Sequence, residues 1–157
     1  MTGFRVSGIG EDLADQARRT HRSPQYGHPA HREVATGTGP CRVCLRTFEV
    51  GREERLLFTY QPFLTAGSLP APGPIFVHAE PCVRHDGFEP TPDLRSLPTI
   101  VEGYGDRGWL RVQEAVEDRA LEEVLARAFA VEGVAFVHLR NAEAGCFMAR
   151  VDRVTVD

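Results

Sequence analysis

The chain has no lysine: all 18 of its basic residues are arginine. That absence reads first as a compositional bias of the source genome, and second as a preference for the bidentate anion contacts a guanidinium makes. No apolar run approaches the length of a membrane span, and the N-terminus Met1-Thr2-Gly3-Phe4-Arg5-Val6 lacks the basic-then-apolar profile of a signal peptide. A cytoplasmic location without membrane contact is therefore expected. The net charge of −4 provides no global field for nucleic acid, and no stripe of interleaved aromatic and basic residues compensates. No glycine loop that cradles phosphate and no serine-hydrolase elbow is present. Cysteine is scarce, with four residues, and in a reducing compartment these are expected as thiols or metal ligands, not as disulfides.

What is present is ordinary for a globular protein. Hydrophobic residues make up 42% and charged residues 25% of 157, enough for one packed domain spanning residues 1–157. Alternation predicts a strand over Phe4–Ile9. A short helix follows over Gly10–Arg19, acidic in its first turn and basic in its last. From Thr20 to Pro40 the pattern is lost in a long loop containing His21, His28 and His31. The turn at Phe48–Glu54 feeds a strand over Arg55–Tyr60, whose Leu56-Leu57-Phe58 core suggests burial on both faces. A second loop is expected over Pro62–Pro74, then a short strand over Ile75–His78 closed by Pro81. Residues 84–98 read as polar and irregular, and a hairpin follows over Thr99–Tyr104 and Trp109–Val112. A long helix is expected from Gln113 to Val131, with Val116, Ala120, Leu121, Val124, Leu125 and Ala128 forming one stripe and Gly133 ending it. Two last strands are expected over Val134–Leu139 and Cys146–Val151. The fold class is α+β: a single domain with a mainly antiparallel sheet of about five to seven strands, one long helix and a short N-terminal helix.

Several local patterns resemble those of a bacterial family known as DUF1203. They are the Pro-Cys-Arg-x-x-Leu run at 40–45, the Gly51-x-Glu turn before Leu56-Leu57, and the Gly73-Pro74-Ile75-Phe76-Val77 strand. Further along come Val137-His138-Leu139-Arg140-Asn141, Gly145-Cys146-Phe147 and Arg150-Val151-Asp152-Arg153. The resemblance covers roughly residues 4–153 and implies a short protein that is one domain throughout. It implies no chemistry, because that family is named for having no known function.

Three kinds of site remain open from the residues. Cys41-x2-Cys44 has the spacing that places two thiolates on adjacent corners of a zinc tetrahedron, and His78-x3-Cys82 supplies a second pair. Against zinc, the second pair is not another CxxC, no glycine follows Cys44 as in many knuckles, and His78 has to leave its strand face. Buried cysteine also packs simply as a small hydrophobe. The second kind is a small enzyme using Cys41 or a histidine, with Arg42 and Arg46 nearby, although Val43-Cys44-Leu45 reads as a strand and not a helix start. The third, which the sequence favours over the other two, is a soluble cytoplasmic small-molecule-binding or regulatory domain with a pocket. The repeated Phe-Val-His at 76–78 and 136–138 places Phe and His on a shared face, and the ligand-binding candidates are Cys41, Arg42, His78, His138, Arg140 and Asn141. The sequence commits to no metal and leaves reaction, ligand and oligomeric state unassigned.

Overall fold

In the computed structural model, residues 2–37, 39–63, 72–117 and 121–155 are described. The strands are β1 (Thr2–Ser7), β2 (His31–Val34), β3 (Glu54–Tyr60), β4 (Gly73–His78), β5 (Asp86–Gly87), β6 (Thr99–Tyr104), β7 (Leu110–Ala115), β8 (Phe136–Asn141) and β9 (Phe147–Thr155). The helices are α1 (Glu11–Thr20), α2 (Pro92–Arg95) and α3 (Leu121–Ala130). Six strands form an antiparallel sheet in the order β5-β1-β9-β8-β6-β7, and β2-β3-β4 form a second, three-stranded antiparallel sheet. The α+β class, the antiparallel six-stranded sheet and the short N-terminal helix follow the sequence pattern. The separate second sheet does not, since no periodicity distinguishes its strands from those of the first.

Strand β8 organises the larger sheet. Its side chains alternate, so Val137 and Leu139 join Val101, Met148, Ala149 and Val151 in the core under α3. Helix α3 closes that core with Leu121, Val124, Leu125, Ala128 and Phe129, spaced three and one apart along one stripe. Each of the larger of these side chains, Leu121, Val124, Leu125 and Phe129, contributes about 1.5–3 kcal/mol by leaving water. Phe136, His138 and Arg140 consequently occupy the opposite face. A second core lies between the three-stranded sheet, α1 and the cysteine-bearing turn, and includes Leu56, Phe58, Ile75, Val77, Ala14, Cys41 and Phe147.

Five expectations are corrected. The helix expected from Gln113 is preceded by strand: Gln113 pairs with Glu102 across β6 and β7, and its Nε2 donates to Glu102 Oε2 at 2.9 Å. Val116 mimicked the helix stripe because it packs on the same core from the end of β7. The loop over 20–40 contains β2, whose mostly exposed edge position gives it no hydrophobic alternation. Residues 84–98 carry β5 and α2, the latter started by Thr91, whose Oγ1 accepts from Leu94 N at 3.1 Å, with Pro92 at its first position. In β3, Leu56 and Phe58 are buried and Leu57 only partly so, which makes it a one-faced strand. The strand expected over Ile75–His78 begins two residues earlier, at Gly73, and Pro74 is accommodated within it because β4 is an edge strand, where a missing donor is tolerated. Of the loop expected over 62–74, residues 64–71 lie outside the described residues.

Candidate metal centre

Pro40–Thr47 is a closed turn and not the core strand expected at Val43–Leu45. Pro40 and Thr47 bridge its mouth, Cys41 N donates to Arg46 O at 2.8 Å, and Leu45 N donates to Cys41 O at 2.8 Å. Leu45 lies in the left-handed region at φ 59°, the conformation for which many knuckles use glycine. A non-glycine residue there costs on the order of 1 kcal/mol. Complete burial of the Leu45 side chain in the larger core offsets that cost.

Backbone from three distant segments holds this turn. Ile9 N donates to Arg42 O at 2.8 Å, Arg42 N donates to Phe76 O at 3.0 Å, and His85 N donates to Val43 O at 2.8 Å. The approach at Gly8 is closer still: a Cβ there would lie 2.2 Å from Val43 O and 2.5 Å from Arg42 O. The same contacts bring the end of β4 to the cysteines. The Sγ atoms of Cys41, Cys44 and Cys82 and a ring nitrogen of His78 all lie within 4.8 Å of one another. Cys41 Sγ and Cys82 Sγ are 3.8 Å apart, and Cys44 Sγ and His78 Nδ1 are 3.5 Å apart. All four cysteines are free thiols.

The surroundings are polarised toward these atoms. His78 Nε2 meets Glu53 Oε2 at 2.8 Å, so the carboxylate fixes the ring with Nδ1 turned to the sulfurs. His78 N donates to Cys41 Sγ at 3.4 Å, and Arg18 Nη2 donates to Cys82 Sγ at 3.5 Å while its Nε donates to His78 O at 3.0 Å. The charge of Cys44 pushes the Arg46 guanidinium above its ordinary value. Crowding divides the protons among the donors. Hydrogen bonds from Cys41 and then Cys82 hold the Cys44 thiol well below the usual range, and the same kind of contact with Cys41 and Cys44 pushes Cys82 well above it. The imidazole of His78 is pushed up to about 10, chiefly by its hydrogen bonds with Cys41 and Cys44.

The six ligand-binding candidates do not form one group. Cys41 and His78 lie in the cluster just described. Arg42 is buried beside it, donating to Phe147 O at 2.7 Å, Pro40 O at 2.6 Å and Cys146 Sγ at 3.0 Å. His138 and Arg140 lie on the larger sheet, on the face away from α3. His138 is packed between the rings of Phe63, Tyr104, Phe136 and Phe147, with centroids 4.8, 5.1, 5.3 and 4.9 Å away. Arg140 is ion-paired with Glu102 and donates to Gly145 O at 2.8 Å. The Glu102 oxygen sits beside Nε but off the N–H direction, so the pair is ionic without a formed hydrogen bond there. Asn141 serves the turn after β8, where its Oδ1 accepts from Glu143 N and Ala144 N, each at 2.9 Å. Two site residues escaped the sequence reading, Glu53 and Arg18, whereas Arg46 was expected beside the cysteines. For Glu53 a signal existed in the Gly51-x-Glu turn, whose Gly51 has φ 81°.

The fold and site together define a small α+β domain with a Cys3His constellation able to hold a metal ion. The chain belongs to the family described as "Protein of unknown function (DUF1203)", whose model matches residues 38–153. The match begins well after Phe4, where the resemblance had been placed, so all four cluster residues fall inside it, whereas Gly8 and Arg18 precede it. No curated protein and no solved structure matches the chain. Among the described residues, no helix is long and apolar enough to cross a membrane.

Two outcomes are expected. Gly8→Ala drives a methyl group into two carbonyl oxygens of the knuckle and costs roughly 1–3 kcal/mol in chemical denaturation. Gly10→Ala, where a Cβ meets nothing within 4 Å, serves as the near-neutral control. The second concerns His138, whose pKa burial lowers to about 3, with Arg140 and Arg150 adding to the effect. An unfolded histidine protonates near 6.5, so the unfolded chain binds a proton that the folded chain refuses between about pH 6.5 and 3. Stability is therefore lost as the pH is lowered through that window. His138→Phe should flatten this acid limb in denaturation curves; equal slopes in both proteins would refute the assignment.

Proposed function

We propose that this is a zinc-stabilised domain in which Cys41, Cys44, His78 and Cys82 together hold one structural zinc ion. The observation that carries this reading is the mutual spacing of the donor atoms. A tetrahedral ion with bonds of about 2.3 Å to sulfur and 2.05 Å to nitrogen has edges of about 3.8 Å between sulfurs and about 3.5 Å between sulfur and nitrogen. The Cys41–Cys82 and Cys44–His78 separations of 3.8 and 3.5 Å agree with those edges. The widest pair, within 4.8 Å, closes with a movement of about one ångström. Three thiolates and a neutral imidazole leave the loaded site with one net negative charge, which Arg18 and Arg46 offset.

Four protein donors leave no open coordination position, which favours a structural over a catalytic ion. Cys41 is completely buried, which also argues against its use as a nucleophile toward an outside substrate. Elemental analysis of the purified chain should give about one zinc per molecule. Cobalt substitution should produce the visible bands of a tetrahedral thiolate site, and a strong chelator should lower the melting temperature. Cys41→Ser and Cys44→Ser should lose the metal, and Cys146→Ser should keep it. A metal content far below one per chain, or the broad visible absorption of an iron–sulfur cluster, would sink the zinc reading.

The small-molecule reading is confined to the second face of the larger sheet. It is favoured by two buried polar atoms that have no hydrogen-bond partner among the described residues, His138 Nδ1 and Arg140 Nη2. A small carboxylate taking the place of the Phe63 ring is the class of ligand that these two donors suit. Thermal shift with acetate, succinate and benzoate tests this: a rise of a few degrees at saturating ligand, abolished in Arg140→Gln, is expected. No rise with any of the three removes it.

A further inference from the structure

We propose that Cys82 is the point at which a hydroperoxide enters the metal cluster, and that its oxidation to a Cys41–Cys82 disulfide releases the ion. This rests on the zinc reading and adds a modification site to it. The four donors are unequally shielded. Cys41 is fully buried, Cys44 and His78 are 5% and 6% exposed, and Cys82 alone is partly open to solvent. Cys82 also stands outside regular structure, between Pro81 and Val83, and Val83 is 82% exposed. An oxidant approaching from solvent therefore meets the Cys82 sulfur first. Arg18 stands at that sulfur, donating to it from Nη2 at 3.5 Å, and places a permanent positive charge where an oxyanion must leave.

The steps balance. The Cys82 thiolate displaces one oxygen of the hydroperoxide: an S–O bond forms, the O–O bond breaks, and the departing alkoxide takes a proton from water. Cys82 is then a sulfenic acid. The Cys41 thiolate, whose sulfur lies 3.8 Å away, attacks the oxidised sulfur. An S–S bond forms, the S–O bond breaks, and hydroxide leaves and is protonated. Two thiolates lose two electrons in all, and the hydroperoxide becomes an alcohol and water with uptake of two protons. Cys41 is the resolving partner because its sulfur stands 3.8 Å from that of Cys82, whereas Cys44 Sγ is paired with His78 Nδ1 at 3.5 Å. Only Cys44 and His78 then remain to bind zinc, and two ligands do not retain it.

The full chain is first assayed for zinc, which tests the metal reading separately. Loaded protein is then titrated with hydrogen peroxide, with released zinc followed by a chromogenic indicator and disulfides mapped by mass spectrometry under non-reducing conditions. One zinc should leave per Cys41–Cys82 disulfide formed, and thiol reductant with added zinc should reverse the change. Cys82→His keeps a fourth ligand that peroxide does not convert to a disulfide, and should release zinc at least about tenfold more slowly. Should that variant fail to fold, disulfide mapping of the unaltered chain decides. The proposal is overturned if loaded protein keeps its zinc while Cys146 oxidises, if the disulfide joins Cys41 to Cys44, or if Cys82→His releases zinc as fast as the parent. A chain isolated without zinc overturns it together with the metal reading.

Discussion

The six-residue turn from Cys41 to Arg46 has almost no freedom, because its peptide groups are bonded outward to Ile9, Phe76 and His85. Those partners come from the β1–α1 connection, from β4 and from the segment after Cys82. Fixing the turn therefore fixes where the N-terminal unit, the smaller sheet and the approach to β5 meet. The sulfur and imidazole donors lie at that junction, so their convergence is a product of backbone hydrogen bonding before any ion is considered. Buried backbone groups require partners wherever the chain runs. Here that requirement is met by long-range contacts, and the cluster geometry follows from it.

The polar groups of the molecule separate into two environments. Around the cysteines, guanidinium groups and a carboxylate stand behind donors that face one another, an arrangement suited to a compact cation held by thiolates. On the larger sheet, His138 is neutralised by burial among aromatic rings, while Glu102 gathers Arg140, Tyr104 and Gln113. Burial and the Glu102 charge push the Tyr104 hydroxyl up, so it remains a donor there. Arg42 lies between these regions, joining the turn to β9 through Phe147 O. The two Phe-Val-His segments, alike in sequence, thus end in different sheets with different partners.

How much of this was readable in the chain depended on whether the signal was local. Strand β8 and the stripe of α3 announce themselves because alternation and three-four spacing are properties of adjacent residues. The boundary between β7 and the helix was misplaced because Val116 satisfies both periods. The smaller sheet was missed because its membership depends on pairing between distant segments. For the site, the four residues that converge were available as Cys-x2-Cys and His-x3-Cys, but the spacing could not show that Leu45 takes the backbone role of glycine. Nor could it show that Glu53 fixes the ring of His78. Those facts depend on a left-handed φ and on a long-range contact, and neither has a local pattern.

Gly8 gives the contact between β1 and the knuckle an unusual character. Most neighbouring elements are kept apart by side chains, whose rotamers and sizes let the separation drift by fractions of an ångström as sequences change. Here main chain rests directly on main chain, with two carbonyl oxygens inside the volume a methyl group would need. The separation is set by peptide dimensions alone and has no intermediate setting. Substitution elsewhere can adjust this junction by degrees, whereas at position 8 the two segments either touch or come apart.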